Sequence, residues 1–123
     1  MKVLLDSNFL LIPSKFRVDV FKELEIFGKP EPYTLDLVVR EMEKIATKKG
    51  QDSRHAHMGL FLIDSKGVEI IKAKGRNTDN ELERIGKEGG FIVCTQDREL
   101  IKRLRKKGIG VISLRQSKYL VKI

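Results

Sequence analysis

The chain has 123 residues, 41% of them hydrophobic and 34% charged, with 25 Lys and Arg against 17 Asp and Glu, so we expect one basic domain spanning residues 1–123. No apolar run approaches the ~20 residues that a membrane-spanning helix needs, and the start of the chain lacks a signal-peptide cleavage site, which predicts a cytoplasmic protein without a membrane anchor. The single cysteine, Cys94, excludes an internal disulfide framework and a CxxC metal site.

Short apolar runs and longer amphipathic stretches alternate along the chain, which predicts strands and helices in turn. In chain order, the first predicted elements are a strand at 2–5, a helix at 16–27, a strand or helix lead-in at 33–35 and a helix from 37 that closes near Gly50. A helix from Asp52 or Ser53 to Gly67, a strand at 68–71 and a helix from Asn77 or Thr78 to Gly89 follow. The last three are a strand at 91–95, a helix that begins at Asp97 and a strand at 111–114. This rhythm predicts a three-layer α/β fold with a central parallel sheet of four to five strands, covered by helices on both faces.

Four acidic residues fall where such a fold would place a ligand site. Asp6 directly follows the first predicted strand and Asp97 follows the strand at 91–95, so both lie at the carboxyl ends of parallel strands, where α/β proteins bind ligands. Asp79 lies at a helix N-terminus, and Glu41 lies mid-helix on a stretch that must approach the core. Clustered carboxylates repel unless a cation or a shared proton separates them, and oxygen ligands suit Mg²⁺ or Mn²⁺. One or two such ions can activate a water and neutralise a phosphate.

Each of these acids also has a structural explanation. Asp97 and Asp79 could cap the helices that begin beside them, and Asp6 could accept loop N–H groups. Glu41 could be a surface residue paired with a neighbouring cation, Arg40 or Lys44. Two strand-end acids together with a basic C-terminal segment favour the metal site over these separate explanations.

The net charge of +8 is concentrated in the last part of the chain. Residues 98–123 hold nine Lys and Arg but one acid, while residues 1–97 are neutral overall. A clustered basic patch is typical of a protein that binds polyanions, because neutralised phosphates release their counterions. A solvated helix face would account for the same run. The predicted RNA-binding residues are Arg98, Lys102, Arg103, Arg105, Lys106 and Lys107.

Four motifs, in order and with matching strand context, resemble those of PIN-domain ribonucleases. The segment Asp6-Ser-Asn-Phe-Leu-Leu is similar to the opening Asp-x-Asn signature, and Val38-Val-Arg-Glu-Met-Glu-Lys-Ile to the helical Glu motif. Thr78-Asp-Asn resembles the third acidic motif, and Thr95-Gln-Asp-Arg-Glu-Leu the closing Thr-x-Asp motif. The chain looks most like the archaeal and eukaryotic branch that matures small-subunit ribosomal RNA, and archaeal proteins of this shape are also grouped with VapC toxins.

The resemblance implies a PIN-like fold and metal-dependent hydrolysis of RNA phosphodiesters. It implies that the four acids named above bind Mg²⁺ or Mn²⁺ as catalytic residues, while Asn8 and Thr95 support the site through hydrogen bonds. The implied partner is RNA, either single-stranded or an rRNA precursor, and a homodimer, an antitoxin and a ribosome-assembly partner all stay open. Some members of the rRNA branch carry a second acid where this chain has Asn80, and that departure bears on metal number and affinity.

Two other functions stay open at this point. The domain could be a non-catalytic RNA-binding or ribosome-assembly scaffold, or the toxin of a toxin–antitoxin pair with the same chemistry. A hydrolase triad has little support, because Ser7, Ser14 and Ser53 have no paired histidine with a third partner in view. His55 and His57 are two residues apart on a predicted helix, so they point in different directions and cannot share a metal ion.

Overall fold

The computed structural model describes the whole chain, Met1–Ile123, as one mixed sheet with helices packed around it. The strands are β1 (Lys2–Leu5), β2 (Glu31–Leu35), β3 (Glu69–Ile71), β4 (Ile92–Cys94), β5 (Val111–Arg115) and β6 (Tyr119–Lys122). The helices are α1 (Ser7–Leu10), α2 (Ile12–Phe16), α3 (Val20–Leu24), α4 (Asp36–Thr47), α5 (Gln51–Ser65), α6 (Thr78–Gly89) and α7 (Arg98–Lys106). None of them is both long enough and apolar enough to cross a membrane.

The sheet has the order β3-β2-β1-β4-β5-β6, and every neighbouring pair is parallel except β5–β6. The two central strands, β1 and β4, are apolar apart from Lys2, and all of their side chains except Lys2 and Ile92 are buried, as expected for parallel strands covered on both faces. Cys94 is a fully buried core residue of β4, and burial raises the pKa of its thiol. The predicted α/β class, with a mostly parallel central sheet flanked by helices, is confirmed.

The sheet has six strands rather than four to five, because β6 turns back antiparallel to β5. The turn places two non-glycine residues, Gln116 and Ser117, in the left-handed region with φ of 54° each, and Lys118 N donates to the Arg115 carbonyl at 3.1 Å. Two left-handed central residues match the twist of a hairpin, but such turns are usually made by Asn-Gly or Asp-Gly. The sequence therefore lacks the usual hairpin signal at this turn, which is why the pattern of residues does not predict β6.

The predicted single helix over residues 16–27 is wrong, because α2 ends at Phe16 and a separate helix, α3, begins at Val20. Arg17 ends α2 in the left-handed conformation, with φ 57° and ψ 41°. Asp19 is extended and caps α3 by accepting from Lys22 N at 3.1 Å. The apolar side chains that suggested one helix still pack inward, since Val20, Phe21 and Leu24 are buried.

The start of α5 also differs from the prediction of a cap at Asp52 or Ser53. The helix begins at Gln51, and the residue before it, Gly50, has φ 117°, a conformation that favours glycine. Ser53 Oγ donates instead to the Ala46 carbonyl at 2.8 Å, which ties the first turn of α5 to the last turn of α4.

Candidate active site

A polar cleft of about 410 Å³ opens at the carboxyl ends of β1 and β4. No hydrophobic residue and no lysine or arginine lines it. The lining residues are Asp6, Ser7, Asn8, Glu41, Asn77, Thr78, Asp79 and Asp97. The fold thus brings all four predicted acids and Asn8 to one cleft, and Ser7, Asn77 and Thr78 complete its walls.

Asp6 is held at the wall of the cleft by the two strands beside β1. On one side, Asp6 N continues the ladder by donating to the Cys94 carbonyl at 3.0 Å. On the other, Thr34 Oγ1 donates to the Leu5 carbonyl at 2.6 Å. The carboxylate then accepts from Ser7 N at 2.8 Å on Oδ1 and from Thr95 Oγ1 at 2.8 Å on Oδ2. Asp6 therefore has little freedom to move.

Asn8 and Thr95, the two predicted supporting residues, join the ends of β1 and β4. Asn8 Oδ1 accepts from Gln96 N at 2.9 Å and from Thr95 Oγ1 at 3.3 Å. Thr95 is fully buried beneath the cleft, and its hydroxyl also accepts from Asp97 N at 3.2 Å. The Asn8 and Thr95 side chains thus hold the backbone at Asp6 and the backbone at Asp97, the two predicted metal ligands at strand ends, in a fixed relative position.

Asp97 is both a helix cap and a cleft residue. Its Oδ1 atom accepts from Glu99 N at 3.0 Å and Leu100 N at 3.2 Å, which caps α7. Its Oδ2 atom makes no hydrogen bond with the protein. The capping explanation is therefore correct for Asp97 and does not compete with a ligand role, since one oxygen stays available.

Glu41 is exposed, as its structural explanation held, but the pairing expected for it and the capping role expected for Asp79 are both wrong. Neither carboxylate forms an ion pair or a side-chain hydrogen bond. Arg40 lies 3.6 Å from Asp36 rather than from Glu41, and α6 is capped by Asn77, whose Oδ1 accepts from Asn80 N at 2.9 Å. Two carboxylates thus line the cleft without a protein partner.

The electrostatics of the cleft are unfavourable for its own carboxylates. Burial raises the pKa of Asp6 from 3.8 to about 6; the hydrogen bonds from Thr95 and Ser7 oppose this rise, and the charges of Glu41 and Asp79 add to it. The N-termini of α6 and α7 point toward the cleft and offset part of the negative charge. A cation bound here would remove the remaining repulsion.

The chemistry of these residues fits Mg²⁺ or Mn²⁺, which prefer carboxylate and amide oxygens. As the side chains stand, no three of the acids come close enough together to hold one ion between them. An ion in this cleft would therefore be held by one or two carboxylates and by water, which is the usual way in which proteins bind Mg²⁺.

A buried carboxylate that the sequence analysis did not single out, Glu81, fixes the loop before α6. Its Oε1 atom accepts from Lys74 N at 2.6 Å and from Gly75 N at 3.0 Å, and Arg84 makes two further hydrogen bonds with the same carboxylate. Asp36 holds the same loop from α4 by accepting from Ala73 N at 3.0 Å. These contacts set where α6 begins, and hence where Asp79 lies.

Replacing Glu81 by glutamine should lower the free energy of unfolding at pH 7 by roughly 1–3 kcal/mol, the usual cost of weakening buried charge-assisted hydrogen bonds. Arg84 and the two loop N–H groups hold the pKa of Glu81 at about 2, below its usual 4.5. This stabilisation is present above pH 4.5 and is lost as the pH falls toward 2. Denaturant titrations at several pH values measure it.

The matched control is Glu88→Gln, because Glu88 also pairs with Arg84, at 3.0 Å, but its side chain is 65% exposed. Its effect should stay within about 0.5 kcal/mol. Equal losses for the two variants, or a Glu81→Gln loss that does not shrink in acid, would contradict the role given to Glu81.

One of the six predicted RNA-binding residues is engaged within the protein. Arg103 is committed to α6, where its Nε donates to Glu83 Oε1 at 2.8 Å and its Nη2 to Asn80 Oδ1. Arg103 is therefore less available to RNA than the prediction assumed, because its guanidinium is held by Glu83 and Asn80. The remaining five cations are exposed on α7 and just after it, at Arg98, Lys102, Arg105, Lys106 and Lys107.

Asn80, which replaces a second acid of some relatives, lies outside the cleft. Its side chain points to Arg103 rather than into the lining of the cavity. The departure from the family pattern at this position thus leaves the carboxylates of the cleft unchanged.

The structure pairs Ser14 with His55, which the sequence analysis did not foresee. Ser14 Oγ lies 2.7 Å from His55 Nδ1, and Ser14 also lines a separate, mainly apolar cavity of about 380 Å³. The ring of His55 has no other hydrogen-bond partner, so no third group orients it as in a hydrolase triad. This pair fastens α2 to α5.

The chain is similar in sequence and in fold to proteins of known family. The chain is 27% identical over 124 residues to Ribonuclease VapC4 of Methanocaldococcus jannaschii, covering 96% of this chain and 93% of that protein. It is 27% identical over 123 residues to the human rRNA-processing protein FCF1 homolog, of which it spans 59%. Among solved structures, the PIN domain endonuclease Utp24 has the same fold, with a TM-score of 0.79 at 23% identity, covering 97% of this chain and 88% of that one. A family model described as a PIN like domain matches residues 3–117, and the chain therefore belongs to the PIN-like domain family.

Proposed function

We propose that this protein is an endoribonuclease that uses Mg²⁺ or Mn²⁺ to hydrolyse RNA phosphodiester bonds. The observation that carries the proposal is the convergence of Asp6, Glu41, Asp79 and Asp97 on one cleft that no cation of the protein enters. Membership of the PIN-like family supports it, as do the relatives named ribonuclease and endonuclease.

In this proposal the chain positions the reacting groups and supplies oxygen ligands. A divalent ion held by these carboxylates would supply an activated water and neutralise charge on the attacked phosphate. Asp6 and Asp97 would hold the principal ion, and Glu41 and Asp79 would complete the site or orient the attacking water. Thr95 orients Asp6 through its 2.8 Å hydrogen bond, and the Asn8 bridge keeps Asp6 and Asp97 in register. The α6 and α7 N-termini favour an anionic phosphate group at the cleft.

The test is cleavage of an end-labelled single-stranded RNA in Mn²⁺, Mg²⁺ or EDTA by the wild type and by Asp97→Asn. Asparagine caps a helix as well as aspartate does, so the variant should keep α7 intact. We expect cleavage only with metal, and a loss of at least about 100-fold in Asp97→Asn, since even outer-sphere partners of a metal are worth 10–100-fold.

The control is Asp64→Asn, which removes an exposed carboxylate on α5 away from the cleft and should cleave like the wild type. Cleavage that persists in EDTA or in Asp97→Asn would contradict the proposal. A folded wild type that binds RNA without cutting it would favour the non-catalytic RNA-binding scaffold, an alternative supported by the absence of any three acids placed to hold one ion together.

For the biological substrate we propose an rRNA precursor, on the likeness to the FCF1 homolog. The likeness to VapC4 favours the alternative of a toxin with the same chemistry. Growth arrest on expression, relieved by the product of a linked antitoxin gene, would favour the toxin. Accumulation of unprocessed rRNA on depletion, without such relief, would favour the processing enzyme.

A further inference from the structure

A basic recess of about 560 Å³ lies beside the acidic cleft, on the other side of the turn at residues 96–98. Asp97 lines the cleft, whereas its neighbours Gln96 and Arg98 line the recess. The opposite wall comes from the end of β5 and the turn after it, through Arg115 and Gln116. Ile123, the last residue of the sequence, also lines the recess, but no aspartate or glutamate side chain does. A cavity lined by cationic side chains therefore adjoins one lined by acidic side chains.

Three cations in the recess are available to a ligand. Arg98 and Lys102 are one helical turn apart on α7 and thus share a face, while Arg115 faces them from β5. Neither arginine forms an ion pair within the protein. Lys102 lies 4.0 Å from Glu99, but the two side chains are 74% and 89% exposed, so this contact is weak. Three uncompensated cations around one cavity are suited to an anionic ligand.

The wall between the two cavities is held rigid by Gln96. Its Oε1 atom accepts from Ser113 Oγ at 2.7 Å and from Leu114 N at 2.6 Å, and its Nε2 atom donates to the Leu114 carbonyl at 3.2 Å. The Gln96 side-chain amide therefore forms all of these hydrogen bonds with β5, and they fix the position of the recess relative to Asp97. A site that is already formed loses little entropy when it binds.

We propose that this recess binds the sugar-phosphate backbone of the RNA strand immediately next to the bond that is cut, an inference that rests on the proposed function. A strand that places one phosphate in the cleft must pass along one of its rims, and the recess is the neighbouring cavity with matching charge. Arg115, which lies outside the α7 segment, belongs to this site. The distal cluster, Arg105, Lys106 and Lys107, lines no part of the recess and begins roughly 10 Å along α7 from Arg98 and roughly 4.5 Å from Lys102, so it is expected to contribute less.

The experiment compares two triple variants with the same change in charge: Arg98→Gln, Lys102→Gln and Arg115→Gln in the recess, and Arg105→Gln, Lys106→Gln and Lys107→Gln in the distal cluster. All six side chains are exposed, so both variants should fold. Binding of a short labelled single-stranded RNA is measured in EDTA over a range of KCl concentrations. The recess variant should lower the slope of log affinity against log salt by about 2, given about 0.7 per phosphate contact, and the distal variant by less than about 1.

Steady-state cleavage adds a second readout. The recess variant should raise KM by at least about tenfold and leave kcat within about twofold, because the acidic cleft is unchanged. Equal losses in the two variants, or a larger loss in the distal one, would overturn the inference while leaving the nuclease proposal intact. Recess-dependent binding without any cleavage by the wild type would overturn the nuclease proposal and, with it, the placement of the recess next to a cut bond. A folded wild type that does not bind RNA would overturn the inference.

Discussion

Replacing Asp6 by asparagine should abolish cleavage and at the same time make the metal-free protein more stable. The loss of activity should be at least about 100-fold, because the variant replaces the negatively charged carboxylate of a predicted metal ligand by a neutral amide. Asparagine can keep the contact with Ser7 N through Oδ1 and can donate from Nδ2 to Thr95 Oγ1, whose own proton can turn to Asn8. The fold around the strand end should therefore survive.

The gain in stability has a definite dependence on pH. Because the pKa of Asp6 is raised from 3.8 to about 6 in the folded protein, its contribution to stability is full below pH 3.8 and is lost as the pH rises through 6. Above that pH the ionised side chain costs up to about 3 kcal/mol, which the asparagine variant avoids. Urea titrations in EDTA should give equal stabilities at pH 4 and a more stable variant at pH 8.

The exposed Asp64→Asn variant is again the matched control, and its stability should follow the wild type at every pH. A variant of Asp6 that is less stable than the wild type at pH 8, or that cleaves RNA normally, would show that Asp6 is a structural cap and not a metal ligand.

Divalent metal should stabilise the wild type strongly and should do so only where Asp6 is ionised. A ligand at 100 times its dissociation constant adds about 2.7 kcal/mol to the free energy of unfolding. Since a proton on Asp6 competes with the ion, the stabilisation by Mn²⁺ should shrink as the pH falls below about 6. Thermal melts with Mn²⁺ and with EDTA at pH 5, 6 and 8 measure this.

The metal melts carry their own control in the cleft variants. Asp6→Asn and Asp97→Asn should lose most of the stabilisation by Mn²⁺, and Asp64→Asn should keep it. The same rise in melting temperature in all four proteins would place the ion outside the cleft.

The residues at strand ends were predictable because the topology of a parallel sheet leaves them little choice. Once β1 and β4 are recognised as buried apolar strands, Asp6 and Asp97 must lie at the same edge. The convergence of Glu41 and Asp79 depended on the family resemblance, because a helix position alone does not say which way its side chain points. The pairing of Asn8 with the backbone of Gln96 follows from the same edge geometry.

The features that were missed depend on contacts between segments far apart in the chain or on unusual backbone. In the sequence, Glu81 is one of several charged residues on a polar helix. Only the path of the preceding loop, whose Lys74 and Gly75 N–H groups donate to it, makes Glu81 a buried residue that holds this loop. Arg103 reads as one of a basic run until Glu83 and Asn80 of the neighbouring helix are in place. The strand β6 follows a left-handed turn without glycine, for which local sequence preference offers no signal.

The parallel pairing of β1 with β4 has a consequence for the protein while it is being made. Thr95 and Asp6, which touch in the finished cleft, are 89 residues apart in the chain. A ribosome that has synthesised β1, β2 and β3 has already added Asp6, Glu41 and much of the core to the chain, but it has not yet supplied the strand that closes the site. Domains emerge at roughly 5–20 residues per second, so for several seconds the nascent chain carries these acids without the frame that aligns them. The order of the strands thus delays the assembly of the cleft until β4 and the turn that follows it have been translated.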